Sequence, residues 1–471
     1  MSQLAPALFT TRAMAEVFAP RAHVRQMLRV EAALARAGAR VGTMPTAAAD
    51  AVAAACDAAH VDERFDVAAL YEAAATAGTL VIPLVRRLTE LVAEPGRAYV
   101  HQGATSQDVI DTALVLQMRD GLDLLAADLG AVCDLAAGLA ERHRATVMAG
   151  RTLLQQALPI TFGLKAARWL ALGVRQLRTL RAVRDDALAL QLGGAAGTLA
   201  AFGTQGMDVA QALADELQLP LPDLPWHAER DRVAAVVAAL GVLAGAMSKI
   251  AGDLVLLAQT EVGEVAEAAA PGKGGSSAMP QKRNPVDAMS ALASARLAIG
   301  MVPVVLGAMT QEHERAAGGW QAEWVAVPEA FRHTSGAVAH VRRALDGLEV
   351  DAVRMRDNVL QGGGTLMAES LGGALAARLA RAEAQRVMQD VSRAAARAGT
   401  TLRDAALGDP RVREALSPDD VDRALDPDAY LGSTGTLIDR ALAAYRDVQR
   451  DVQRDAQRDA QRDRRHDEEP G

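Results

Sequence analysis

Five long stretches between residues 109 and 345 limit this chain's fold more than any other feature. They span about 109–144, 160–190, 230–264, 286–310 and 322–345, with apolar residues recurring at helical spacing. Proline is scarce in them, and a bend is expected only at Pro303. Helices of this length, apolar along one side, must pack side by side, so a central bundle is the expected core. The composition agrees: Ala, Leu and Arg are abundant and aromatic residues make up 3%. The fold class is therefore expected to be all-α.

Shorter helices flank the bundle. Before it they are read at about 21–41, 47–59, 67–77 and 82–93. Val24, Met27, Leu28, Val30 and Leu34 mark the first, which Gly42 and Pro45 end. After it come breaks at Gly362–Gly364, Asp409-Pro410 and Asp426-Pro427. The expected organisation is an N-terminal helical domain (1–108), a central bundle (109–349), a C-terminal helical domain (350–445) and a charged tail (446–471). The tail is a near-repeat of Arg-Asp-Val/Ala-Gln in which Asp447 stands three residues before Arg450. It is expected to be a solvated, fraying helix.

A length of 471 residues allows a large core, and the formal charge of -8 argues against nucleic acid as the main partner. No apolar run reads as long enough for a bilayer, so no membrane partner is expected. Met1 to Pro6 lack a basic start, which reads as no signal peptide. Cys56 and Cys133 form neither a disulfide framework nor a metal pattern. A cytoplasmic location and no cofactor or metal are the expectation.

The breaks carry the chemistry. Residues 272–285, Gly-Lys-Gly-Gly-Ser-Ser-Ala-Met-Pro-Gln-Lys-Arg-Asn-Pro, combine three glycines, two hydroxyls and three cations. A loop of that kind suits a lid or an anion cradle better than a linker. Tyr99 to Asp108 form a polar turn with His101, Thr105 and Ser106 before a long helix, which Ser106 or Asp108 could cap. Exposed amides there favour an anion. Gly150 to Pro159 interrupt the next helical pair. Gly193 to Thr198 are glycine-rich, but no strand precedes them, so a dinucleotide loop is rejected.

Gly275 to Pro285 match every fixed position of the fumarase/aspartase superfamily signature, Gly-Ser-Ser-x-Met-Pro-x-Lys-x-Asn-Pro. The His101–Asp108 turn resembles that superfamily's first signature region and Gly150–Pro159 its second, in the same order. The resemblance extends over nearly the whole chain. It implies three all-helical domains and a homotetramer with a twenty-helix core, each active site shared between subunits. Within the superfamily, His101–Asp108, Pro225-Trp226-His227, Arg230-Asp231-Arg232, Ala270–Lys273, Gln311–Arg315 and Ala322-Glu323-Trp324 are most similar to the bacterial 3-carboxy-cis,cis-muconate cycloisomerase family.

That resemblance implies lactone closure of a small tricarboxylate, in protocatechuate breakdown. A carboxylate adds across a double bond and the neighbouring carbanion, held as an aci-carboxylate, is protonated. Ser276 is then the proton-transfer residue, with Ser277 as its competitor and Lys282 assisting. Asn284 and Lys282 would donate to the aci-carboxylate. A trianion needs further partners, for which Thr105, Ser106, Arg151, Thr152, Gln155 and Arg315 are candidates, with His101 and Arg230 behind them. One position departs from the superfamily pattern. Where many lyases have Thr-His, this chain has Thr152-Leu153. An amine leaving group, with a conjugate acid near pKa about 10, benefits from a proton donor, whereas a carboxylate, at about 4, does not. Leu153 therefore favours the lactonising reaction over an adenylosuccinate-like lyase releasing fumarate. Intact Ser276, Lys282 and Asn284 argue against a non-catalytic helical scaffold.

Overall fold

The computed structural model describes residues 8–275 and 278–468, side chains of residues 452, 453 and 455–468 excepted. Five long helices fill the middle of the chain: α1 (Ser106–Arg142), α2 (Phe162–Ala187), α3 (Asp231–Leu257), α4 (Val286–Ala308) and α5 (Gly319–Leu345). Four lie within a few residues of their expected limits; α3 starts as expected but ends at Leu257, short of the expected limit near 264. Pro303 sits inside α4 as expected, and α5 contains Pro328, which the sequence reading passed over. The last helix, α6 (Thr434–Glu468), runs into the repeat.

The chain packs as two compact units, each assembled from three segments. One comprises Met1–Asp128, Gln176–Ser248 and Ser290–His340; the other comprises Leu129–Arg175, Lys249–Met289 and Val341–Gly471. All five divisions fall within α1 to α5.

In the first unit the helix Pro20–Val41 buries Val24, Met27, Leu28, Val30 and Leu34, the stripe expected of it. It ends at Gly42, left-handed at φ 88°. Val233, Val236, Val237, Leu240 and Leu243 of α3 are buried at three- and four-residue spacing, as a core-facing helix requires. α1 starts where the Asp108 carboxylate reaches back to accept from the Thr105 N–H at 2.9 Å. This is half of a capping box.

In the second unit, the break between α1 and α2 is a β-hairpin that the sequence reading saw only as an interruption. β1 (Val147–Thr152) pairs antiparallel with β2 (Gln155–Thr161), and Thr152 faces Gln155 across a two-residue turn. Close packing follows at once. A Cβ on Gly163 would lie 2.7 Å from the carbonyl oxygens of Ala140 and His143. Only glycine lets the start of α2 come that near the end of α1. The root of the tail also packs, more than expected: Val448 is buried, and the Tyr445 hydroxyl donates to Asp134 at 2.7 Å. Asp447 and Arg450 form the expected pair at an exposed position.

α3 and α4 correct the sequence reading in length: both are long and apolar enough to cross a membrane by those criteria alone. The apolar window of α3 is 61% buried inside the protein, that of α4 33%.

Gly163→Ala should cost about 1–3 kcal/mol, because the added methyl meets fixed backbone and not a movable side chain. Urea unfolding of the variant checks this; an unchanged midpoint would contradict it.

Candidate active site

The residues expected to act together fall into two groups, one in each compact unit. In the first unit the organising group is Asp108, 1% exposed on the first turn of α1. Besides the Thr105 N–H, its oxygens accept from the N–H groups of Gly193 and Gly194, both at 2.9 Å. His227 Nε2 lies 2.7 Å away. Asp108 thus joins two glycine-bearing turns that are 85 residues apart in the chain. Arg315 closes the arrangement: Nη1 donates to Thr105 Oγ1 at 2.8 Å and Nη2 to the Ala195 carbonyl at 3.0 Å. Thr105 and Arg315, chosen separately from the sequence, are direct partners. Ser106 is the first residue of α1, half-buried beside them in sequence.

His101 opens the same turn, in the left-handed region at φ 58°. Its Nδ1 lies 2.6 Å from Glu31 Oε1. Burial pulls the imidazole pKa down, but the Glu31 contact and charge, with Asp108 behind, outweigh it and hold the pKa above its ordinary value. Glu31 is a functional candidate that the sequence reading missed. Its signal was present: an acid standing in the apolar stripe of the helix Pro20–Val41.

Arg230 does not fit the substrate contact expected of it. Its side chain is fully buried. Two donors go to Asp111, at 2.6 and 3.1 Å, while Nε and Nη2 reach Glu323 at distances from 2.5 to 3.2 Å. Trp226 stacks on the guanidinium with the ring centroid 4.9 Å from Cζ, and Trp320 Nε1 donates to Asp111 at 2.9 Å. Burial acts against the Arg230 charge, yet Asp111 and Glu323 hold it firmly protonated; burial raises the Glu323 carboxyl. This arginine anchors helix to helix.

In the second unit, Arg151 of β1 makes a two-pronged pair with the buried Glu264, at 2.7 and 2.9 Å. Glu264 also accepts from Asn358 Nδ2 at 2.8 Å. Both guanidinium arms of Arg151 are therefore engaged within the chain. Thr152 and Gln155 are exposed on either side of the hairpin turn. Leu153 and Leu154 occupy the turn itself at φ 53° and 64°, and Leu153 is 96% exposed. A two-residue turn with both φ positive normally takes Asn or Gly, so two leucines here carry both backbone strain and exposed apolar surface.

The signature loop is held at its base. Gly274, at φ 68°, accepts from the backbone N–H and the side-chain Nδ2 of Asn284, each at 3.0 Å. A Cβ on Gly274 would lie 2.7 Å from the Asn284 carbonyl oxygen. One expected donor of Asn284 is thus spent on closing the loop. Lys273 pairs with Asp287 at 2.9 Å and Glu267 at 3.2 Å. Partial burial opposes its charge, but those carboxylates raise its pKa. Arg283 is clamped by Glu349 and the Glu267 carbonyl. Of the three loop cations, Lys282 is exposed and has no ion pair among the described residues. Ser276 and Ser277 lie outside the described residues.

A family model described as Lyase matches residues 8–300, and one described as Adenylosuccinate lyase C-terminus matches residues 364–441. The 3-carboxy-cis,cis-muconate cycloisomerase of Bradyrhizobium diazoefficiens is 46% identical, over 94% of this chain and 98% of its own length. The crystal structure of the 3-carboxy-cis,cis-muconate lactonizing enzyme from Pseudomonas putida is 44% identical, with a TM-score of 0.89 over 94% of this chain and 99% of that one. The nitrosuccinate lyase of Streptomyces davaonensis is 43% identical, over 88% of this chain and 89% of its own.

Replacing Arg230 by methionine would leave Asp111 and Glu323 buried without their cation. A loss of about 3–5 kcal/mol in unfolding free energy is expected, read from denaturant titration. A variant of normal stability that binds substrate poorly would instead restore Arg230 to the substrate.

Proposed function

The chain belongs to the lyase family that includes fumarase and aspartase, and from that premise we infer that it is a cycloisomerase converting 3-carboxy-cis,cis-muconate to 4-carboxymuconolactone. The similarity along almost the whole chain to enzymes of that activity carries the reading. The hairpin tip supports it independently: Leu153 offers no proton donor, and a carboxylate that adds or departs needs none.

In the reaction, one substrate carboxylate oxygen forms a bond to a carbon of the diene. The electron pair of that double bond moves to the adjacent carbon and into its carboxyl group as an aci-carboxylate. Ser276 then delivers a proton to that carbon, and the trianion becomes a lactone dianion. Lys282, the loop cation free of ion pairs among the described residues, would supply the positive charge that stabilises the Ser276 alkoxide or the aci-carboxylate. Arg315 and Thr105, already hydrogen-bonded to one another, with Ser106 and His101, supply the anion-binding side. Thr152 and Gln155 lie within the second region and flank its hairpin turn. Arg151 and Asn284 assist from their internal partners.

We assign the active assembly to a homotetramer with shared sites. Leu297, Ile299, Val304 and Leu306 of α4 are exposed apolar residues, a surface suited to other copies of the chain. The organisation in sequence, 1–108, 109–349, 350–445 and the tail 446–471, is kept as part of this reading. Two buried free cysteines suit a cytoplasmic setting.

A nitrosuccinate-lyase reading is favoured by the Streptomyces similarity. Nitrite, the conjugate base of an acid of carboxylic-acid strength, also leaves without a proton donor. Ultraviolet loss of the muconate diene, nitrite release from nitrosuccinate and fumarate release from adenylosuccinate separate the readings. Diene loss is expected, falling at least 100-fold in Ser276→Ala, as for loss of a general acid–base group. No diene loss, or full activity in that variant, sinks the assignment. Leu153→His should change the lactonisation rate little; a large gain would show that a proton donor is limiting. Arg315→Met should raise KM by about tenfold or more, from the loss of a charge-assisted contact.

A further inference from the structure

We propose that Glu31 is a positioning residue that grips His101 by Nδ1 and holds it as an imidazolium whose Nε2–H meets a substrate carboxylate. The inference deepens the cycloisomerase reading and rests on it for the identity of that carboxylate.

Glu31 lies among Met27, Leu28 and Leu34 in the helix Pro20–Val41 and is 1% exposed. A carboxylate in such surroundings is costly unless a cation or donor meets it. Its Oε1 has His101 Nδ1 at 2.6 Å, the short distance of a charge-assisted bond, while Oε2 has no hydrogen-bond partner. The pair is therefore isolated: the imidazole is the one strong partner Glu31 has among the described residues. His101 keeps 19% of its side chain exposed, and no partner for Nε2 is found among the described residues. The ring thus has one nitrogen in the interior and the other left for a ligand, four residues before Thr105, which Arg315 holds.

The charged groups acting on the ring are Glu31 from the helix Pro20–Val41 and Asp108 from the start of α1. Both favour the cation. The sign follows: the imidazolium is present below its raised pKa and is lost as pH climbs through it, taking anion affinity with it. Without Glu31 the ring is left with burial against it and Asp108 alone in its favour, and the loss moves to lower pH.

The test uses the full chain with nitrogen-15-labelled histidine, His101→Gln identifying the His101 signals. NMR titration follows His101 in wild type, Glu31→Gln and Glu31→Asp, and calorimetry measures tricarballylate, an unreactive tricarboxylate, at pH 5.5 and 7.5. Wild-type His101 is expected to titrate above the free-imidazole value of about 6.5, and Glu31→Gln at or below it. At pH 7.5 the glutamine variant should bind tricarballylate about tenfold more weakly than wild type, with a much smaller difference at pH 5.5. Glu31→Asp should recover part of both effects. An unchanged His101 titration in Glu31→Gln, equal weakening at both pH values, or no tricarballylate binding to wild type overturns the proposal. If Glu31→Gln does not fold, His101→Gln decides: persistence of the wild-type pH dependence overturns it. Failure of diene loss alongside pH-dependent tricarballylate binding would refute the cycloisomerase reading and leave the Glu31–His101 assignment standing.

Discussion

One buried carboxylate holds the first unit's working turns together. Asp108 takes N–H groups from its own turn and from the Gly193–Gly194 turn, and His227 stands against it. In water each of those contacts would be worth little. In the interior an unmet amide or carboxylate is expensive, so the partners are kept together by the cost of separation. Remove that junction and Thr105 loses its fixed backbone, the Ala195 carbonyl its position, and Arg315 two of its anchors.

The distribution of charge follows a similar logic. The sequence offers many cations for an anionic substrate, but most have internal work. Arg230 joins Asp111 and Glu323, Arg151 holds Glu264, and Lys273 and Arg283 secure the base of the signature loop. Lys282, Arg315 and His101 remain as the better candidates for contact with an anion. The paired arginines are still useful, because a hydrogen-bonded carboxylate partner fixes a side chain that would otherwise sample many rotamers.

Some of this was legible in the sequence. The five long helices could be read because apolar spacing over twenty or more residues leaves few alternatives, and their ends were found to within a few residues except at the C-terminus of α3, which stops at Leu257 and not near 264. The hairpin between α1 and α2 was not legible. Its strands are short, Val147, Met148 and Ala149 are buried in succession without alternation, and its turn holds two leucines where such a turn normally advertises itself with Asn-Gly. Arg230 was misread because an arginine beside Trp226 and His227 looks the same in sequence whether it faces a ligand or two buried acids. Glu31 was overlooked although an acid within an apolar stripe is an anomaly, since its partner is 70 residues away.

The sequence by itself determined the helical class, the order of the three signature regions and the chemical types at each: hydroxyls, cations, a glycine-rich loop, and a leucine where a proton donor is common. These are local properties, set by periodicity and by the chemistry of single side chains. Only the tertiary structure decided which polar groups are committed to one another. That choice depends on long-range pairing and burial, and it separated Arg230, a buried anchor, from Arg315, which holds Thr105, and brought Glu31 to His101. The signature loop gained its definition in the same way: Gly274 and Asn284, ten residues apart, close its base, and the two cations beside them are drawn off by Asp287, Glu267 and Glu349.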